Sequence, residues 1–217
     1  MPAPVEPVLQ AVLLAGGTGS RLGGEDKALL MRGGSTLLSR WLEELELRKI
    51  RTAVVGPVHL RAQVREGVDL VQEEPAFSGP AAGILAGARA LQHSGQLGEG
   101  PSATLVLAVD LVSPGPVLEW LLAQLGAATA ADAVLPRDES GRDQYLCMAV
   151  PTAWLQWRAQ ELGPAGLANA RARTLLDGFD GVGTLVRPVI PAELGADIDT
   201  VEDALRWGID LPGAAGR

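Results

Sequence analysis

With a single cysteine, Cys147, in 217 residues, the chain cannot form an internal disulfide. Cys147 reads as a buried strand residue rather than a nucleophile. Two isolated histidines, His59 and His93, offer no spacing that would hold zinc. Lysine is nearly as scarce, with Lys27 and Lys49 set against sixteen arginines. No run of about 18 apolar residues occurs, and no basic stretch precedes an apolar one near the start. Neither a membrane span nor a secretory signal is therefore expected, and the cytoplasm is the expected compartment. A net charge of −8 argues against a nucleic-acid partner, which requires a broad basic surface. Any anion this chain binds has to be held locally.

What is present is 47% hydrophobic, enough to bury a full core, and residues 1–217 read as one domain. Strands are expected at Val8–Leu14, Thr52–Val55, Val68–Val71 and Ala103–Val109. Helices are expected from Thr36 to about Leu47, with Ser35 or Thr36 as cap, from about Ala81 to Leu91, and after Ser113-Pro114. This alternation predicts an α/β fold, a Rossmann-like, mainly parallel sheet with helices on both faces. Beyond it the rhythm changes. Short apolar runs at Ala133–Leu135 and Leu146–Val150 flank a polar turn, predicting a hairpin or insertion at the sheet edge. Helices at about Thr152–Leu162 and Leu167–Leu176, a strand near Thr184–Val189 and a last helix from Thr200 complete the pattern, with a frayed tail from residue 212.

The first strand runs into Leu14-Ala15-Gly16-Gly17-Thr18-Gly19-Ser20-Arg21-Leu22-Gly23-Gly24-Glu25-Asp26-Lys27. Glycines at this density let peptide N–H groups converge on an anion, and Arg21 and Lys27 supply the cations a triphosphate needs. A P-loop is excluded, because Lys27 follows Asp26 and precedes Ala28. A dinucleotide fingerprint also fails, since the third glycine is due at Leu22 and comes at Gly23. In an open parallel sheet ligands sit beyond the carboxyl ends of the strands, and three more features fall there. Asp110 ends the apolar run Leu105–Val109. Glu73 and Glu74 precede Gly79-Pro80-Ala81-Ala82-Gly83, and either carboxylate could accept the paired N–H donors of guanine. Asp197 and Asp199 flank Ile198 near the C-terminus. Asp110 with Asp199 would suit Mg²⁺, which takes one or two carboxylates and completes its shell with water and phosphate oxygens. Asp199-Thr200 followed by Glu202 and Asp203 also has the pattern of a helix cap, and the two roles are compatible.

The loop closely resembles the signature of the molybdenum cofactor guanylyltransferases, in the nucleotidyltransferase superfamily. Gly79-Pro80-Ala81-Ala82-Gly83, Asp110, Arg142-Asp143-Gln144-Tyr145-Leu146 and Asp197-Ile198-Asp199-Thr200-Val201-Glu202-Asp203 follow in the order of that family. The resemblance implies a nucleotide-diphospho-sugar transferase type of fold and transfer of GMP from MgGTP to the phosphate of a molybdopterin-type acceptor. It divides the chain into a nucleotide half, 1–112, and an acceptor half, 113–211. Arg21, Lys27 and Asp110 are then the expected catalytic residues. Leu14, Ala15, Gly16, Gly17, Thr18, Gly19, Lys27, Glu73, Glu74, Gly79, Pro80 and Asp110 would hold the nucleotide. Asp110 and either Asp197 or Asp199 would hold Mg²⁺, and Arg142 and Gln144 would face the acceptor. Other molybdenum-cofactor biosynthesis proteins are the implied partners. Use of CTP, another phosphorylated acceptor, and a non-catalytic nucleotide-binding regulator remain the alternatives at this point.

Overall fold

The computed structural model describes residues 8–16, 24–93, 102–163, 167 and 169–210. In β1 (Val8–Leu14) successive side chains leave opposite faces, so Ala11 and Leu13 enter one core and Val12 another. A short hairpin of β2 (Met31–Arg32) and β3 (Ser35–Thr36) leads into α1 (Leu37–Leu47). Thr36 caps that helix, its hydroxyl accepting from Ser39 N at 3.0 Å, and Leu37, Leu38, Trp41, Leu42 and Leu45 are buried. Next come β4 (Arg51–Val55), β5 (Asp69–Val71), α2 (Pro80–His93) and β6 (Ser102–Ala108). Pro114 stands in the first turn of α3 (Pro114–Ala127), where its missing N–H costs nothing. The remainder is β7 (Ala133–Val134), β8 (Cys147–Pro151), α4 (Thr152–Leu162), β9 (Leu185–Val186) and α5 (Val201–Arg206).

Seven strands form one sheet in the order β5-β4-β1-β6-β8-β7-β9. The first four are mutually parallel, β8 runs antiparallel to β6 and β7, and β9 is parallel to β7. α1 and α3 pack on one face and α2 and α4 on the other. The sheet is therefore mostly parallel and covered by helices on both sides. β7 and β8 do pair as a hairpin, but β8 lies inside the sheet instead of at its edge. Its residues are apolar on both faces, Cys147 and Ala149 toward α1 and α3, Met148 and Val150 toward α2 and α4, and burial on both sides needs a neighbour on each flank.

Two expected elements shrink. In place of a helix over 167–176 there is a 3-10 turn, Ala172–Leu176, preceded by Asn169 in the left-handed region at φ 57°, which a helix cannot accommodate. The strand expected over 184–189 is reduced to Leu185–Val186 plus one bridge from Arg137 to Val189, because Pro188 has no N–H to continue the ladder.

α2 lies unusually close to the sheet at Gly87. A Cβ there would stand 2.6 Å from Val12 Cγ1 and 2.9 Å from Val55 Cγ2. Alanine would gain about 1 kcal/mol in helix propensity over glycine, whereas overpacking typically costs about 1–3 kcal/mol. Gly87→Ala is thus expected to lower the melting temperature, with a net loss of up to about 2 kcal/mol in a denaturant titration.

Candidate functional site

The carboxyl ends of β1, β4, β5 and β6 are tied together beyond the strands proper. Ala15 N donates to Val55 O at 2.8 Å, Gly56 N to Val71 O at 2.9 Å, and Val109 N to Leu14 O at 2.9 Å. These bonds set a floor, and a cavity of about 310 Å³ opens on it. Leu14, Ala15, Gly16, Gly56, Pro57, Glu73, Phe77, Gly79, Pro80, Lys27 and Asp110 are among the residues that line it. Gly79, at φ 93°, is held against Ala170, whose carbonyl would lie 2.9 Å from any Cβ at that position. No L side chain fits there without moving the backbone.

Lys27 is placed by its own local structure. Asp26 accepts from Ala28 N at 3.0 Å, capping the 3-10 turn Lys27–Leu29, while its other oxygen meets His59 Nε2 at 2.7 Å. The lysine then reaches across the sheet edge, donating to Asp110 Oδ2 at 2.8 Å and Asp199 Oδ1 at 2.6 Å. Burial works to lower its pKa, but the charges and hydrogen bonds of Asp110 and Asp199 outweigh that and hold it above the usual lysine value of 10.5. The ammonium is cationic throughout the neutral range. The stability gained from this shift is present below 10.5 and is lost only as pH rises through the raised value.

Asp199 arrives there by backbone pairing. Leu111 and Asp197 form an antiparallel bridge, Ile198 N donates to Asp110 O at 3.2 Å, and Val112 N donates to Ala196 O at 3.3 Å. A capping box between Thr200 and Asp203 then starts α5, with Asp203 Oδ2 also accepting from Asp199 N at 3.2 Å. Capping and proximity to Asp110 therefore coexist at Asp199. Asp197 points into a second cavity, and partial desolvation followed by the charges of Asp110 and Asp199 lifts its carboxyl above the usual range. Among the described residues no group of three or more His, Cys, Asp or Glu has metal-binding geometry. Asp110 and Asp199, each one hydrogen bond from the same ammonium, form a two-carboxylate oxygen set.

The second cavity, about 560 Å³, adjoins the first at Asp110. Arg142, Gln144, Arg171, Arg173, Asp197 and Asp199 lie in its wall. Gln144 spends its amide N–H on Asp138 Oδ2 at 2.9 Å, in the same turn where Arg142 N donates to Asp138 Oδ1 at 3.0 Å. Arg171 and Arg173 escaped the reading of the sequence. Their turn is held from α4, where Trp154 Nε1 donates to Leu175 O at 2.7 Å and the buried Arg158 donates to Thr174 O at 2.8 Å. Alternate arginines in Arg171-Ala172-Arg173 were the available signal, hidden by the expectation of a helix.

Of the two acids before Gly79, Glu73 lines the first cavity and Glu74 does not. Glu73 Oε1 accepts from Phe77 N at 2.9 Å. Gly17, Thr18, Gly19 and Arg21 lie outside the described residues.

A family model for the MobA-like NTP transferase domain matches residues 11–180. The chain belongs to the MobA-like NTP transferase family. Within it, the chain is 38% identical over 152 residues to a protein of Acidiphilium cryptum named molybdenum cofactor guanylyltransferase, covering 67% of this chain and 68% of that one. It is 35% identical over 118 residues to a protein of the same name from Burkholderia orbicola, where the match covers 52% of this chain and 57% of the relative. The chain thus spans less than two thirds of the Burkholderia protein's length. The crystal structure of molybdopterin-guanine dinucleotide biosynthesis protein A from Archaeoglobus fulgidus superposes with a TM-score of 0.59 at 22% identity, covering 92% of this chain and 97% of that chain, and so shares the fold. The MobA-like match embraces every lining residue of the first cavity from Leu14 to Leu146. Asp197 and Asp199 fall beyond it. No helix among the described residues is long and apolar enough to cross a membrane.

Cys147 stands at the rim of the second cavity but is 3% exposed, and burial pushes its thiol up to about 12. A thiol at that value is almost entirely protonated at pH 8 and a poor nucleophile. Native protein is expected to leave a chromogenic disulfide reagent essentially unreacted at pH 8, and guanidinium-unfolded protein to release one equivalent of chromophore.

Proposed function

We propose that this protein, acting in the cytoplasm, transfers GMP from MgGTP to the phosphate of a molybdopterin-type acceptor and releases pyrophosphate. The observation that carries this reading is the position of Lys27, Asp110 and Asp199 at the junction of two cavities. One has largely apolar walls and an acid, Glu73, at its far end. The other is lined by Arg142, Arg171 and Arg173. A nucleotide laid along the strand ends, base toward β5 and phosphates toward β1 and β6, would put its α-phosphorus near Asp110, facing an acceptor phosphate held by the arginines. In this assignment residues 1–112 serve the nucleotide and 113–211 the acceptor, with Asp199 contributed across to the shared centre.

A phosphate monoester is already anionic at neutral pH and needs little general-base help. The barrier is repulsion between two anions, so positioning and charge neutralisation dominate. Backbone N–H groups of Gly16 and the following loop, with Arg21 and Lys27, would hold the triphosphate. Asp110 and Asp199 supply the hard oxygen donors that suit Mg²⁺, which when bound neutralises phosphate charge and favours departure of pyrophosphate. Lys27, released from its carboxylates, would turn to the phosphates without leaving its turn. Glu73 would accept from guanine N–H groups, and Arg142, Arg171 and Arg173 would orient the acceptor.

Pyrophosphate release with GTP, CTP, ATP and UTP, each with Mg²⁺ and molybdopterin, tests the reading, and GTP is expected to support the fastest turnover. Removing one preorganised donor of this kind lowers turnover by on the order of 10²- to 10³-fold, so Lys27→Ala is expected to lose that much while its far-UV circular dichroism stays unchanged. Near-normal turnover in the variant, or equal rates with all four nucleotides, contradicts the assignment.

A further inference from the structure

Phe77 is out of place by every structural measure. The chain has two phenylalanines, and Phe179 is packed in the core at 1% exposure. Phe77 is 67% exposed and belongs to no hydrophobic cluster. Its backbone sits at φ 62°, in the left-handed region that bulky L residues rarely enter. An apolar ring held in solvent on an unfavourable backbone is a feature the fold does not use, and such outliers point to a functional constraint.

The local hydrogen bonds show what holds it. Glu73, two residues past β5, accepts from Phe77 N at 2.9 Å, and the Ser78 hydroxyl donates to Pro75 O. Gly79, also at positive φ, then hands the chain to Pro80 and α2. The result presents the ring at the wall of the first cavity, at the β5 end, opposite the Lys27 and Asp110 end. Pro57, Pro80, Val55 and Leu14 line the same cavity. That is the composition of a slot for a flat, apolar-faced group.

We propose that Phe77 is a specificity-determining residue whose ring stacks on the nucleobase and favours the larger face of a purine over a pyrimidine. This rests on the nucleotide reading of the first cavity. Glu73 acts as its positioning residue, because the carboxylate that would read the base edge also fixes the backbone of the residue that would cover the base face. Edge recognition and face recognition are thereby built from a single hydrogen-bonded turn.

The deciding variant is Phe77→Gly, which relieves the positive φ and removes an exposed ring, so the protein should melt at the same temperature or higher. Base stacking on an aromatic side chain corresponds to about a 5- to 150-fold effect on affinity. By titration calorimetry with Mg²⁺, Phe77→Gly is expected to weaken GTP by about that factor. CTP should weaken by less, and inorganic tripolyphosphate, which has no base, should be unchanged. Phe77→Trp should retain GTP affinity and show indole fluorescence quenched by GTP but not by tripolyphosphate. If wild type binds GTP and Phe77→Gly binds it equally well, or if tripolyphosphate weakens in parallel, the role assigned to Phe77 is wrong while the nucleotide site stands. If wild type binds neither GTP nor tripolyphosphate, the nucleotide reading and this inference fall together.

Discussion

Everything at the cleft hangs on one ammonium group. Lys27 Nζ joins Asp110, 83 residues away, to Asp199, 172 residues away, and by doing so fixes three loops at a single sheet edge. Partly buried carboxylates brought this close repel each other and lose solvation, and a cation between them offsets both costs. Each partner is also held by contacts of its own, Lys27 by the Asp26 cap, Asp110 by its position two residues past the β6 ladder, and Asp199 by pairing with the Asp110–Val112 segment and the α5 capping box. Little side-chain entropy remains to be lost when they meet.

The rest of the architecture keeps that edge open. α2 can lie flat on β1 and β4 because Gly83 and Gly87 carry no side chains, which brings Gly79 and Pro80 over the first cavity. The antiparallel β8 extends the sheet beyond β6, so the second cavity has a floor of its own next to Asp110. An acidic protein with a net charge of −8 concentrates Arg142, Arg171 and Arg173 around this second opening. The same wall carries Asp110, Asp143, Asp197 and Asp199, so the arginines are individual cationic groups set among carboxylates and not a continuous basic surface.

Family membership and geometry bear on function in different ways. Membership in the MobA-like NTP transferases rests on sequence similarity across residues 11–180. The geometry adds two adjoining cavities that share Asp110 and sets Glu73, not Glu74, against the first of them. Glu73 both lines this cavity and holds the backbone of the exposed Phe77, and in the proposed reading it would couple recognition of a base edge to that of a base face.

Much of this could be read from the chain alone. Val8–Leu14, Ala53–Val55 and Leu105–Val109 are short, mostly apolar runs rich in Val and Leu between turn residues, the pattern of strands buried on both faces. Thr36, Pro114 and Thr200 mark helix starts because capping is a contact between near neighbours. The glycine-rich loop, Lys27, Asp110 and the Asp197–Asp203 segment announce themselves by residue type and spacing. What sequence could not decide was anything resting on long-range pairing. The placement of β8 inside the sheet, the choice of Glu73 over Glu74 and the position of the arginines at 171 and 173 depend on which distant backbone lies alongside, whereas the exposed ring of Phe77 follows from a local turn with a positive φ that its residue type does not announce. Local propensity carries no information about a partner 100 residues away, and only the folded chain supplies it.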